Sequence, residues 1–551
     1  MKYFILGLLL LFTVFSNART PVAPRTSVSF RTSDKTLQQL FDRAEAMAEK
    51  NIVRFGNYQV LVEGGGYTNV WLETQPMGGY MYAKRNLSVA RNNSCIFMDF
   101  QREDGRFPGM ISCNNDTLIP HYGWFQGYCF PMPAFELYFL LGKDKAYLNR
   151  LYASLEKFDQ YLWKVRDSDG DGCLETWCVY DTGEDNCTRF GESPNAWPFD
   201  FPPTKERIMN MTEKERNEYC HKSAFDFSKE IPVPIESMDI MSYSYAGRDV
   251  LARISKELDN GRERYWRDQA DLVRQKMKDY LWNEEKHACF DRDKDNNTMN
   301  ILLHNNLRCM YYGSFDQQMA DDFVKDHLMN PNEFWTPMPL PSIAVNDAYF
   351  RNNAGNDWSG QPEALTYQRS IRALENYGHF AELTLIGQKF LKVVGDTLKF
   401  TQQFDPFRGT VSSSGQDGYG PAILASLEFI SRLYGIHITQ DRIYWSCLNS
   451  DQSYDYSQTW GNRLYEIKTR GHQVHCFVNG KEVFSFTKGI RLVSDLNGKI
   501  MEAVGIETKD INAEIVCKKK TFRLKMSPNK TDHFLDKFEE TRQRSASTVL
   551  F

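Results

Sequence analysis

The chain has 551 residues, enough for three or four units of about 150 residues each. With 42% hydrophobic and 25% charged residues it matches ordinary globular usage, which argues against wholesale disorder and coiled coil. Its 66 basic and 71 acidic residues leave a formal charge of -5 and form no basic stripe, so nucleic acid is not an expected partner.

Residues 1–18 carry Lys2, an apolar run from Phe4 to Phe15, and the small-residue site Ser16-Asn17-Ala18. This is the pattern of a cleaved signal peptide, short for a bilayer span and followed by no stop-transfer segment. A secreted or periplasmic protein with no membrane span after cleavage is therefore expected. Twelve cysteines in a chain this long make no disulfide scaffold, although Cys173, Cys178 and Cys187 lie close enough in sequence to pair locally. Neither a CxxC pair nor HExxH occurs, which leaves zinc chemistry without support.

From about 34 to 435 the pattern is helical. Leu37, Leu40, Phe41 and Ala44 recur at helix spacing after Ser33-Asp34, and Leu148, Leu151, Leu155, Phe158 and Leu162 form a second stripe. Long loops rich in Gly, Pro, Asn and Trp separate such stripes, and loops of that length inside a compact domain usually carry function. Helical hairpins with elaborate loops on one side predict a toroid whose mouth holds the chemistry. After Gly435 short β-rich runs take over, with an Asn479-Gly480 hairpin signal. Residues 436–525 read as an antiparallel β domain and 526–551 as a polar tail.

Two loops concentrate carboxylates. Asp167, Asp169 and Asp171 in Arg166-Asp167-Ser168-Asp169-Gly170-Asp171-Gly172 offer hard oxygens at alternate positions, as a calcium loop begins, although the Glu that would complete an EF-hand is Cys178 here. A solvated Asx turn without metal is the other reading. Asp181, Glu184 and Asp185 lie in a loop flanked by aromatics, where crowding and shielding can raise one carboxyl pKa toward that of a general acid. Trp124, Trp177, Trp197, Trp335 and Trp358 fall in loops, where they either stack on sugars or pack the loops themselves.

Val70-Trp71-Leu72-Glu73-Thr74, continued by Asn86, Ala90, Gln101 and Asp104-Gly105-Arg106-Phe107-Pro108-Gly109, resembles the first hairpin of the α/α-toroid glycoside hydrolases. The relevant groups are family 63, with its mannosylglycerate-hydrolase-like bacterial members, and the family 37 trehalases. Thr182-Gly183-Glu184-Asp185-Asn186 is similar to their S-G-x-D-x-S/A acid element, and Leu281-Trp282-Asn283-Glu284-Glu285 to L-W-x-E-E. Trp358-Ser359-Gly360 resembles the start of W-R-G-P-V-W, Phe404-Asp405-Pro406-Phe407-Arg408-Gly409 is similar to Y-N-P-x-T-G, and Gln416-Asp417-Gly418-Tyr419-Gly420 to the trehalase Q-D-G-F-G-W. The resemblance spans roughly 60–435. It implies a mainly α, six-hairpin toroid with a C-terminal β-sandwich-like domain, and an exported enzyme cleaving an oligosaccharide or small glycoside, an α-glycoside with inversion.

In that reading Asp185 is the general acid, and Trp71, Glu73, Gln126, Trp177, Arg189, Trp358, Gln402 and Gln416 hold the sugar. No cofactor is required, structural calcium at the three aspartates aside. The departure is at the base: where the family has E-x-Y, this chain has Gln402-Gln403-Phe404. An amide cannot take a proton from water, so Glu363 or Asp417 is expected to serve instead. Pairing of Glu363 with Arg351 is the competing expectation. The rival function is a non-hydrolytic carbohydrate-binding protein on a degenerate hydrolase scaffold. A sugar isomerase would want a pair of histidines at the mouth, and none is evident.

Overall fold

The computed structural model describes residues 23–220, 229–535 and 537–542. The expected signal peptide and residues 543–551 lie outside them.

Twelve main helices follow in order: α1 (Lys35–Lys50), α2 (Gln75–Tyr82), α3 (Leu87–Asp99), α4 (Pro131–Leu140), α5 (Lys145–Val165), α6 (Met238–Leu258), α7 (Glu263–Tyr280), α8 (Asn305–Tyr312), α9 (Gln317–Phe323), α10 (Ala364–Tyr377), α11 (Phe380–Thr397) and α12 (Gly420–Tyr434). Their starts follow local chemistry. Asp34 accepts the Leu37 N–H at 3.0 Å and so caps α1, and Asp144 and Ser237 do the same for α5 and α6. The even-numbered helices touch one another in a closed ring, α2 to α4, α6, α8, α10, α12 and back to α2. The odd-numbered helices lie outside, and α1 closes the outer layer by packing on α12, the last helix of the chain. Burial separates the layers. α6 buries nearly its whole circumference, whereas α7 buries only Trp266, Ala270, Val273 and Met277.

The residues just before the inner helices gather at one end of the ring. Glu73 precedes α2, the Gln126–Phe130 stretch leads into α4, Glu363 is the N-cap residue of α10 and Tyr419 that of α12. This end is the mouth.

The other part of the chain is two antiparallel sheets. One has seven strands in the order Thr26–Thr32, Tyr454–Trp460, Arg463–Arg470, Gln473–Val478, Lys481–Thr487, Ile511–Cys517, Lys520–Met526. The second has six, from Ile436–Ile438 through Arg442–Cys447, Ile490–Asp495, Ile500–Gly505 and Thr531–Phe534 to Phe538–Arg542. Trp445 of the six-stranded sheet meets Tyr465 and Phe484 of the other at ring distances of 6.1 and 5.5 Å, so the sheets pack face to face as a sandwich. Asn479 and Gly480 both take positive φ, 51° and 76°, as the hairpin signal requires.

The sandwich departs from the sequence boundaries in two places. Thr26–Thr32 pairs along its length with Tyr454–Trp460, bringing an N-terminal strand into a β unit expected only after residue 435. The expected polar tail is ordered as strand over Thr531–Phe534 and Phe538–Arg542, on the edge of the six-stranded sheet. Thr26–Thr32 is a mostly polar strand placed by a partner at the far end of the chain, and the tail strands are held by each other and by Ile500–Gly505. The helical toroid is thus joined to a large β-sandwich, and "mainly α" describes the toroid rather than the chain. Cys173, Cys178 and Cys187, close enough in sequence to pair, are buried free thiols. Among the described residues no helix is long and apolar enough to cross a membrane.

Candidate active site

Asp185 sits in the loop after the 3-10 turn Val179–Asp181, half-buried at the mouth. Its carbonyl accepts the Trp358 N–H at 3.0 Å, which ties the acid loop to the 355–359 loop. The Thr188 N–H donates to Ser359 Oγ at 3.0 Å, and Ser359 Oγ donates to the Asn186 carbonyl at 3.1 Å, so the two loops are zipped together. Asp185 Oδ2 accepts Asn356 Nδ2 at 2.7 Å, whereas Oδ1 is buried without a partner. Burial pushes the carboxyl up to about 7; the Asn356 bond opposes this, and the Glu73 charge adds to it.

Its sequence neighbour has the opposite fate. Glu184 is held well below the carboxylate range although burial opposes this, because Arg189, Arg308 and His304 surround it. Arg189, expected on the sugar, is buried instead among Glu184, Asp239 and Asp291. Trp177 is likewise a structural residue, fully buried, with its indole N–H on Glu175 and the Arg166 guanidinium 4.2 Å over its ring. Both expectations failed for one reason: loops this long carry a core of their own.

Glu73 is buried, bonded to Arg369 on α10 and approached by Gln126 Nε2 at 3.5 Å. Burial raises its pKa and Arg369 pulls it back. Gly127 and Gly183, with φ of 62° and 71°, press on this carboxylate so closely that a Cβ would stand 2.7 and 2.5 Å from its oxygens. The glycine of the acid element is therefore a space requirement. Trp71 is partly buried with an unpartnered indole N–H, and Trp358 is buried against His304 and Arg308.

Of the two expected bases, Asp417 is engaged elsewhere: it pairs with Arg43 and accepts the Phe400 N–H at 2.8 Å. Glu363 is at the mouth but has no exposed surface, and burial drives its pKa well above the usual range. It does not pair with Arg351, which donates to the carbonyls of Ala348 and Phe350. A third carboxylate, unremarked in the sequence, is Glu63. It keeps 8% exposure, accepts the Tyr419 hydroxyl at 2.9 Å and is pushed up to about 8 by burial and by the charges of Glu73 and Asp185. The signal that could have found it is Gly64-Gly65-Gly66. A Cβ at Gly64 would stand 2.4 Å from the Gly418 carbonyl and one at Gly66 2.6 Å from Gln416 Oε1, so this loop lies directly on the 416–419 loop.

Gln402 is joined to the mouth by its amide. Tyr67 Oη donates to Gln402 Oε1 at 3.0 Å, and Gln402 Nε2 donates to Asn356 Oδ1 at 2.6 Å. These three residues, with Gln403, Gln416 and Tyr419, line a cavity of about 370 Å³ whose walls carry no charged side chain.

The acidic turn forms a separate cluster. Carboxylate oxygens of Asp167, Asp169 and Asp171 lie within 4.8 Å of one another, and so do those of Asp169, Glu175 and Glu236. Glu236, 5% exposed, has an unpartnered buried Oε2 and is pushed up to about 8, by burial first and then by the neighbouring carboxylates.

A ring of six helical hairpins with carboxylates at its mouth is the α/α toroid of glycoside-cleaving enzymes. Residues 82–420 match the model of the mannosylglycerate hydrolase MGH1-like glycoside hydrolase domain, and the chain belongs to that family. None of the curated proteins matches it. Among solved structures it is similar to the family 63 mannosylglycerate hydrolase of Thermus thermophilus, at 16% identity and a TM-score of 0.54, over 71% of this chain and all of that one. A sialidase (14% identity, TM-score 0.61) and a family 78 rhamnosidase of Bacillus sp. GL1 (13%, 0.51) match 85% of this chain and 41% of theirs. These likenesses carry the fold.

Proposed function

We propose that the protein is an exported inverting glycosidase that cleaves a neutral oligosaccharide or small glycoside, an α-glycoside by its resemblance to the family. The carrying observation is Asp185: half-buried, raised to about 7, with one oxygen fixed by Asn356 and the other unpartnered. Such a carboxyl keeps its proton near neutral pH and can deliver it to the leaving oxygen. The uncharged walls of the cavity favour a neutral sugar, since they offer no cation to hold an anionic one.

The base role falls to Glu63. It retains exposure where Glu363 has none, the Tyr419 hydroxyl supports its ionised form, and it belongs to the same carboxylate group as Asp185. With Glu63 pushed up to about 8 and Asp185 to about 7, the working form is the one-proton state of the pair with the proton on Asp185. Inversion needs about 6.5–9.5 Å between acid and base, room for one water. Turnover of a panel of neutral glycosides by the parent, Glu63→Gln and Glu363→Gln tests this. Glu63→Gln should lose activity on natural and activated substrates alike, with partial rescue by azide. Loss in Glu363→Gln alone would transfer the role to Glu363. A parent that binds sugars without turnover would be a carbohydrate-binding protein, the reading that Gln402 at the base position favours.

Calcium is proposed at the acidic cluster, held by Asp167, Asp169, Asp171, Glu175 and Glu236. The orphaned Oε2 of Glu236 fits a cation, and hard oxygens at this density suit Ca²⁺.

A further inference from the structure

We propose that Gln402, where the family keeps its base, positions the acid: through Asn356 it fixes which Asp185 oxygen carries the catalytic proton. The inference rests on Asp185 being the general acid. A side-chain amide has one donating and one accepting end, so each amide in a chain is oriented by its neighbour. The Tyr67 hydroxyl donates to Gln402 Oε1, which turns Gln402 Nε2 toward Asn356; Asn356 Oδ1 accepts it, which turns Asn356 Nδ2 onto Asp185 Oδ2. With Oδ2 occupied as an acceptor, the proton resides on Oδ1, the buried oxygen without a protein partner.

The chain has a rigid support. Asn356 takes a left-handed φ of 61°, and its N–H, with that of Gly355, donates to Gln403 Oε1 at 2.8 Å. The Asn356 carbonyl accepts Asn186 Nδ2 at 2.9 Å. Gln403 thus holds the backbone of the loop while Gln402 orients its side chain, and the adjacent amides divide the work of positioning. The titratable groups facing Asp185 are Glu63, Glu73, Glu363, Tyr67 and Tyr180, with Asp357 in the same loop. All but the tyrosines are carboxylates, so the Asn356 bond is the interaction that holds down the acid's pKa. Its loss raises that pKa.

Gln402→Met keeps the size and removes the amide. The variant should move the alkaline limb of the kcat/KM–pH profile upward by about one unit and lower kcat about tenfold on poor leaving groups, with little change on activated aryl glycosides. Gln402→Asn, compared alongside, can restore the limb only if its shorter amide still reaches Asn356. Carbon-13 NMR of the Asp185 carboxyl in the parent and Gln402→Met reads the same shift without turnover. A rise in KM with both limb and carboxyl titration unmoved would make Gln402 a sugar ligand and overturn the proposal. An inactive parent whose Asp185 titration still moves in Gln402→Met would sink the hydrolase reading and leave the positioning intact.

Discussion

The two ends of the toroid handle buried carboxylates in opposite ways. At the closed end, where the ring meets the sandwich, Arg372 pairs with Glu136, Arg491 with Glu375, and Lys84 and Arg432 with Glu428, around a cavity of about 450 Å³. Each of these glutamates is held below its ordinary pKa, because the cations outweigh burial. At the mouth, Glu63 and Glu363 are buried and Asp185 half-buried with no cation beside them among the described residues, and all three are raised. Burial is common to both ends; compensation is not. A carboxylate left uncompensated costs stability and keeps a proton available, which is how an acid catalyst is made.

The largest expected effect strikes the mouth. Asp185→Asn should lower turnover of natural glycosides by about 10²–10⁴-fold and that of activated aryl glycosides much less, since a good leaving group needs no proton. Undiminished activity on natural substrates would break the assignment. Activity of the parent should peak between about pH 7 and 8, where Asp185 and Glu63 share one proton, and fall above it as that proton is lost.

Stability should respond with opposite signs at the two ends. Glu428 is 1% exposed between Lys84 and Arg432, and Glu428→Gln should destabilise by about 3–5 kcal/mol by leaving buried cations short of a partner. Glu63 in the folded protein holds its proton to about pH 8, against an ordinary 4.5. Between those values the folded state binds more protons than the unfolded chain, so this group's contribution falls as pH rises through that window. Glu63→Gln should therefore stabilise the protein at pH 8 by about 1–3 kcal/mol, and not at pH 4. The lowered glutamates of the closed end act in reverse, with stability present above the ordinary carboxylate range and lost as pH falls through their depressed pKa values. Denaturant melts of both variants at pH 4 and pH 8 read the signs, and destabilisation by Glu63→Gln at pH 8 would erase the contrast.

What was legible in the sequence was periodic or local. The Leu148-to-Leu162 stripe is the buried face of α5, and a five-residue element points to Asp185. The pairing of Thr26–Thr32 with Tyr454–Trp460 was not legible, because a strand whose clearly apolar members are Val28 and Phe30 owes its place to rings more than 420 residues away. The anchoring roles of Arg189 and Trp177 are not legible, because an Arg or Trp in an acidic loop reads the same whether it faces sugar or anchors the loop. Glu63 is not legible as a partner of Asp185, because the glycines after it mark only a close-packed loop while its surroundings come from three separate segments.

The smallest expected effect concerns a third group of carboxylates, which resembles the mouth as it stands and should resemble the closed end once a cation binds. Burial raises Asp167, Glu175 and Glu236, with Glu236 at about 8. Lys276 Nζ, 3.3 Å from Asp171 Oδ2, supplies one positive charge at the rim and leaves the inner oxygens to Asp169, Glu175 and Glu236. Calcium there would replace the protons that Glu236 and its neighbours hold, so its affinity should rise with pH between about 6 and 8. Saturation at a hundredfold over Kd stabilises by about 2.7 kcal/mol, which for a chain this size amounts to a few degrees in Tm. Thermal melts with Ca²⁺ and with EDTA at pH 7.5 should differ by that amount in the parent and coincide in Glu236→Gln, with the activity of Asp185 untouched by either treatment at low temperature. If the parent melts identically in both, the cluster is a solvated turn that holds no cation.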